Sequence, residues 1–393
     1  MNLSNRIARS RPLATTAMHG RAEALRNAGK RVIDLSIAIS HFAAPAAVHD
    51  AVKAALDSPR TLPYTDVGGA LCVRQALCAK LRHENGIEAG VDEIIVTNGC
   101  KQAYYEALVA LTDPGDTIAV FRPYWPAYLA SAELLGLRVV MVDLPHAVTP
   151  ATLAAFGPVK ALVLNNPHNP NGKVFTRDEL AHILDWAAAG GAHVIVDESY
   201  EHLIFEGRHL SLAALRHARP EWQTVGVVSL FSSSQNYAMM GWRIGFAHAP
   251  RHVIGAMQTL QGPITAAAPY LSQVAAIAAF ASGATQSMMA DYRIRRDLVL
   301  RQLAEVPWIT MHVPDSGPYL WGDIRALTHD TLGFAERLLE QERVALMPGD
   351  ALGVPGFIRI GYIADDHATL LDGVRRIVEF GERFKQRTCA GAP

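Results

Sequence analysis

From about residue 45 onward, short apolar runs alternate with longer amphipathic stretches. Seven runs read as strands, at residues 94–97, 118–121, 139–142, 161–164, 194–197, 225–230 and 244–248. Helical patterns fall between them, among others at residues 101–111, 125–135 and 177–189. The strands are apolar at nearly every position, as in a sheet covered on both faces. The pattern therefore predicts an α/β fold with a mostly parallel seven-stranded sheet.

Upstream, residues 17–28 carry a helical pattern. After Ala266 one long Ala-rich helical region is expected to run to about residue 304, with a basic patch at Arg293, Arg295 and Arg296. It would bridge to a smaller α/β unit with strands near 310–313, 319–323, 344–346 and 357–361. A last helix is expected at about 366–387. The expected division is a large domain at 46–284 and a small one made of 1–45 and 285–393. The tail from Thr388 has no pattern and is expected to be loose. No internal repeat or low-complexity segment interrupts the chain.

Composition narrows the function classes. The 393 residues are 50% hydrophobic and 19% charged, which suits a globular chain with a large core. A net charge of −1 and the lack of a basic stripe argue against nucleic acid as main partner. No run of eighteen apolar residues suggests a membrane span. Cys72, Cys78, Cys100 and Cys389 lack CxxC spacing, against a disulfide framework or zinc site and in favour of a reducing cytoplasm. The first 31 residues hold Arg6, Arg9, Arg11, Arg21, Arg26 and Arg31 against the single acid Glu23, a composition that transit peptides share. They lack an apolar core and run into a helical pattern, so the expected location is cytoplasmic. The 16 histidines show no metal-ligand spacing, and no metal is expected. Gly68-Gly69 has no strand before it, so a dinucleotide reading fails.

In such sheets ligands sit outside the carboxyl ends of strands. Polar residues cluster there, at 98–101, 122–125, 165–171, 197–200 and from Ser232 on. Asp197 closes a buried strand, a costly place for a carboxylate without a cation or donors, though its spacing equally suits a helix cap. Arg359 inside an apolar strand demands a buried anion, from the chain or from a ligand. Gly99 opens a strand-to-helix turn whose N–H groups suit an anion, as an ordinary turn also would. Trp125 reads equally well as core. The segment Asn166-Pro167-His168-Asn169-Pro170-Asn171-Gly172 is dense in turn formers.

The stretch Ser232-Ser233-Ser234-Gln235-Asn236-Tyr237-Ala238-Met239-Met240-Gly241-Trp242-Arg243-Ile244-Gly245 has the hydroxyls, cation and glycines that a phosphate-holding turn needs. It resembles the lysine-bearing loop of the class I/II aminotransferases, fold type I enzymes that use pyridoxal phosphate (PLP). The segment 166–172 is similar to that family's Asn-Pro-x-Asn-Pro-x-Gly signature. Asp197-Glu198-Ser199-Tyr200 is similar to its Asp-x-x-Tyr motif, 28 residues beyond Asn169. The likeness spans about residues 21–376.

The resemblance implies roles. Asp197 would keep the cofactor's ring nitrogen protonated, Tyr200 and Asn169 would meet its phenolic oxygen, and Trp125 would stack on the ring. Gly99, Cys100, Lys101, Ser232, Ser234 and Arg243 would cradle the phosphate. Arg359 would take the substrate α-carboxylate, near Asn169 and Ala38. Tyr64 would reach the phosphate of a second subunit, so a homodimer is implied. Lys101 also matches a lysine that reads a distal carboxylate in an aspartate- and prephenate-type subgroup.

Three departures stand out: Ala38 where a Gly is usual, Ser233 in place of an aromatic, and Gln235 at the Schiff-base lysine. A glutamine has no nucleophilic amine and no titratable group. Loss of acid–base help alone costs about 10²–10⁴-fold in rate. The resemblance then implies PLP or pyridoxamine phosphate (PMP) held without a covalent bond, and an amino acid/2-oxo acid pair as substrates, with ordinary amino transfer impaired. Two alternatives stay open: a lysine-lacking enzyme that works with PMP or a preformed adduct in a different reaction, and a non-catalytic binding protein of the same fold.

Overall fold

The computed structural model describes residues 1–10, 12–59 and 61–390. Arg11, one of the N-terminal arginines, lies outside them. Close to the N-terminus, β1 (Ile33–Asp34) follows the helix Ala14–Asn27. The seven expected runs then appear as β2 (Ile94–Thr97), β3 (Thr117–Arg122), β4 (Arg138–Asp143), β5 (Ala161–Asn165), β6 (His193–Asp197), β7 (Val227–Ser232) and β8 (Gly245–His248). They form one sheet in the order β2-β8-β7-β6-β5-β3-β4. Only β8 runs antiparallel to its neighbours β2 and β7.

Residues along these strands alternate between two buried layers. Val96, Ala119, Leu164, Val196 and Phe231 belong to one apolar cluster. Ile95, Val120, Val163, Ile195 and Leu230 belong to the other. Both faces are dry except along the edge strand β4, where Met141 is exposed, and the inner strands therefore read as unbroken apolar runs. β7 lies two residues later than the expected 225–230. The N–H of Val225 is taken by Trp222 as the short turn Pro220–Thr224 ends, while the far end of the ladder extends to Ser232 opposite Gly245.

A second core gathers the N-terminal segment, the later helices and a small sheet. That sheet contains β9 (Thr310–His312), β10 (Tyr319–Asp323), β12 (Met347–Pro348) and β13 (Phe357–Gly361), in the order β12-β13-β10-β9 and antiparallel throughout. The run expected at 344–346 divides. β11 (Val344–Ala345) pairs in parallel with β1, and the chain then passes through Leu346 into β12.

The long helical region expected after Ala266 is instead two helices, Tyr270–Phe280 and Thr285–Leu303. Gly283 at φ 62 breaks it, and the Ser282 hydroxyl donates to Ala279 O and accepts from Ala284 N. Arg295 and Arg296 are buried, not a surface patch: Arg295 pairs with Asp291 and donates to Ala364 O, and Arg296 lies over the Phe205 ring. The last helix, His367–Ala390, takes in the start of the tail expected to be loose.

Strands β2, β3, β5, β6 and β7 all end at one edge of the main sheet, and β8 begins there. A side chain at Gly245 would put its Cβ 2.6 Å from Cys100 N, so glycine lets the helix Cys100–Leu111 abut the strand ends. Within that helix Glu106 is 1% exposed. Gln102 donates to its Oε1 at 2.7 Å, while Oε2 has no partner. Burial pushes this carboxyl up to about 7.

A raised carboxyl means that between pH 4.5 and 7 the folded chain keeps a proton that the unfolded chain has lost. Stability then falls as pH rises through that window. Urea midpoints at pH 5 and pH 8 should differ less for Glu106→Gln than for the unsubstituted protein, with the variant the more stable at pH 8.

Candidate active site

Between the carboxyl edge of the main sheet and the second core lies a cleft of about 290 Å³. Twelve of the fourteen residues singled out in the sequence line it: Ala38, Cys100, Lys101, Trp125, Asn169, Asp197, Tyr200, Ser232, Ser234, Gln235, Arg243 and Arg359. Gly99 lies behind Arg243, where a Cβ would sit 2.6 Å from Nη2. Tyr64 is 98% exposed and is not part of the cleft formed by one chain.

Asp197 marks one end. It is the last residue of β6, 5% exposed, and all its hydrogen-bond partners are neutral. The Tyr128 hydroxyl donates to Oδ2 at 2.7 Å, and Ser199 N to Oδ1 at 3.1 Å. The Cys100 thiol lies 3.6 Å from Oδ1. Burial, then the Asp197 charge, pushes both the Tyr128 hydroxyl and the Cys100 thiol well up, so both stay protonated donors. The strand end itself is clamped, since Asn165 Nδ2 donates to Asp197 O and Asn165 Oδ1 accepts from Asn169 N.

Arg359 marks the other end, 2% exposed in the middle of β13. Nη1 donates to Asn169 Oδ1 at 2.9 Å and Nη2 to Ser36 O at 2.7 Å, while the guanidinium carbon stands 3.9 Å from the Tyr319 ring centroid. Its buried Nε has no partner. Asn169 thus spends its carbonyl on Arg359 and keeps its Nδ2 to donate. Tyr200 packs edge-on against Tyr319, and burial drives its hydroxyl far above the usual phenol range.

A third group lies where β7 turns back into β8. Ser232 Oγ accepts from Ser234 N, closing the short turn Ser233–Asn236. Arg243 is held at φ 51, in the left-handed region, and donates to Met240 O. Facing it, the helix Cys100–Leu111 starts at Gly99, φ 81, and the leading N–H groups of a helix lack intrahelical partners. Lys101 Nζ stands 5.1 Å from the Trp125 ring centroid; partial burial, then Arg243, lowers its pKa. Three cationic side chains, Lys101, Arg243 and Arg359, line the cleft against the one carboxylate of Asp197.

Gln235 comes one turn beyond Ser232. Nε2 donates to Ala38 O at 3.0 Å, and its Oε1 is buried without a partner. Among the described residues, Lys101 is the one lysine lining the cleft. Lys173 is turned away, bonded to His146 O and Glu179.

Tyr128, Tyr319 and the Ser36 carbonyl are parts of the site that were not singled out in the sequence, and Asn165 appeared there only as the start of the polar cluster 165–171. Tyr128 stands three residues after Trp125, on the helix Pro126–Leu135, a spacing that puts both on one face. Tyr319 opens β10 across from Gly361 and left no local signal.

Sheet order, second core and cleft together make this a fold type I PLP-dependent fold. Comparison with known proteins agrees. The family model "Aminotransferase class I and II" matches residues 30–377. An aspartate aminotransferase of Streptomyces avermitilis is 33% identical over 399 residues, covering 95% of each chain. An aspartate/prephenate aminotransferase of Thermus thermophilus is 33% identical, with 96% of this chain and 97% of that one covered. Among solved structures, the Thermus thermophilus aspartate aminotransferase with maleate matches at TM-score 0.89 and 32% identity, over 97% of this chain and all of that one. The Rhizobium meliloti aspartate aminotransferase matches at TM-score 0.90 and 28% identity, over 98% and 99%. The chain belongs to the class I and II aminotransferase family.

The burial of Cys100 has a direct readout. At pH 8 a thiol reagent should modify exposed Cys72 quickly and leave Cys100 untouched until denaturant is added, as followed by peptide mass mapping.

Proposed function

We propose that the cleft holds PLP or PMP without a covalent bond and acts on an amino acid/2-oxo acid pair, with ordinary amino transfer impaired at Gln235. The observation that carries this reading is Asp197: a buried carboxylate with only neutral partners, facing a cleft whose other charges are all positive. A pyridinium supplies the missing cation, and a phosphate and a substrate carboxylate supply anions for Arg243 and Arg359. The unpartnered Nε of Arg359 and the glycine at position 99, beneath Arg243, fit those anions.

In this reading Asp197 keeps a proton on the ring nitrogen, and Tyr200 and Asn169 Nδ2 donate to the ring's phenolic oxygen. Trp125 covers the ring. Ser232, Ser234, Arg243 and the turn from Gly99 to Lys101 grip the phosphate. Arg359 orients the substrate through its α-carboxylate beside Ala38. The bound cofactor would act as an electron sink for charge at the substrate's α-carbon. What the chain lacks is a base to move the α-proton: Gln235 can only donate or accept hydrogen bonds, and its Nε2 is already engaged by Ala38 O. The missing base costs about 10²–10⁴-fold. An enzyme that works with PMP or a preformed adduct in another reaction is the second reading, supported by the same engaged amide.

Lys101 at the cleft and the aspartate aminotransferases among the relatives support an acidic amino acid as donor. We take residues 46–284 as the large domain and 1–45 with 285–393 as the small one, in line with the separate apolar clusters. Exposed Leu62, Tyr64, Leu71 and Ile264 support a homodimer in which Tyr64 completes the partner's phosphate site. No helix of the described residues is long and apolar enough to cross a membrane, in line with the cytoplasmic location proposed.

Cofactor binding, a restored lysine and the oligomeric state test this. The purified chain should bind PLP with an absorbance band that dialysis removes and borohydride does not fix. Gln235→Lys should make the adduct fixable at residue 235 and raise the half-reaction rate with aspartate by at least about 100-fold. Absence of cofactor uptake by either protein would leave the binding-protein alternative. Sedimentation should report a dimer, and Tyr64→Ala should weaken PLP retention while leaving the dimer intact; a monomer at micromolar concentration would contradict the shared site.

A further inference from the structure

At the opposite edge of the main sheet, where β5, β6 and β7 begin, lies a second cavity of about 270 Å³. Its strands span roughly 16 Å at about 3.3 Å per residue, so it is well separated from the cleft at their other ends. The lining is divided in character. Val227 and Val228, 1% exposed, and Val253, 7% exposed, give an apolar floor. Among the described residues that line it, the titratable ones are Lys160, His193 and His252, and all three are basic.

These groups repel one another. His193 has its pKa lowered by burial, then by the charges of Lys160 and His252. Its Nδ1 is buried without a partner, against Gly226, where a Cβ would lie 2.5 Å away. The start of the helix Arg251–Thr265 adds the positive end of its dipole beside His252. Lys160 and His252 are exposed at the mouth of the cavity. A bound carboxylate would meet the ammonium of Lys160 and accept hydrogen bonds from the imidazoles, with no acid among the lining residues to compete. Bare inorganic phosphate would leave the apolar floor in water, and a metal cation would meet Lys160.

We propose that this cavity binds a small organic carboxylate with an apolar body, the charge held by Lys160, His193 and His252 and the body by Val227, Val228 and Val253. The site is independent of any cofactor in the cleft.

The test uses the full chain with benzoate as probe. Acylation of His252 and His193 by diethyl pyrocarbonate is mapped by mass spectrometry, with exposed His217 as the internal reference. Benzoate at ten times its dissociation constant should slow modification of His252 roughly tenfold by mass action and leave His217 unchanged. Lys160→Met should abolish the protection. Arg359→Met, which removes the carboxylate fork of the cleft, should preserve it. Ala256→Leu, which narrows the cavity without touching a charge, should also abolish it. The proposal is overturned if benzoate protects neither histidine, if inorganic phosphate protects as well as benzoate, or if protection disappears with Arg359→Met and survives Lys160→Met.

Discussion

A carboxylate at the end of a buried strand is the constraint to which the rest of the cleft answers. Asp197 is out of water and held by a phenol, a thiol and a backbone N–H. Ionised carboxylates are costly to bury unless paired. Here the local donors reduce that cost, and the remaining charge faces a cleft lined by three cations. The sheet makes this possible, because parallel strands deliver Asn165, Asp197 and Ser232 to the same edge. Helix packing supplies the donors from the side, through Cys100 and Tyr128.

Much of this was legible in the chain. The inner strands of the main sheet were legible because both of its faces are dry there, so periodicity and burial agree; the edge strand β4 is apolar but only partly buried. The cleft residues were legible for a different reason: Asp197 and Arg359 are polar groups set at the end or in the middle of apolar runs, where a polar group needs an explanation, while Asn169 stood out only through the resemblance of its turn-rich segment. What escaped has no such contrast. Tyr128 and Tyr319 look like ordinary core aromatics, and only tertiary packing turns their hydroxyl or ring toward the site. The break at Ser282-Gly283 was hidden in an Ala-rich stretch, because helix propensity on either side of it is high. Leu346 passing from one small sheet to the other has no local signature at all.

On the proposed function, Gln235 would separate two functions that the family's lysine combines. The proposed noncovalent grip on an aromatic phosphate would persist without it, since that grip would be distributed over Asp197, Asn169, Arg243 and the helix at Gly99. Proton transfer cannot be shared out in this way, because it needs one titratable group at one point. The proposed outcome, a retained pocket with impaired chemistry, follows from that difference.

The segment after β1 has a mechanical consequence. Ser36 O accepts from Arg359 and Ala38 O from Gln235, while β1 itself is paired to β11, the neighbour in sequence of the sheet that carries Arg359. Residues 36–38 therefore join the two sides of the cleft through carbonyls two residues apart, Ser36 O on Arg359 and Ala38 O on Gln235. A rotation of the smaller core relative to the main sheet would carry residues 36–38 and the guanidinium together, and would strain the Gln235 amide on Ala38 O and the Arg359 bond to Asn169 at the same time, so the cleft opens only when both give way.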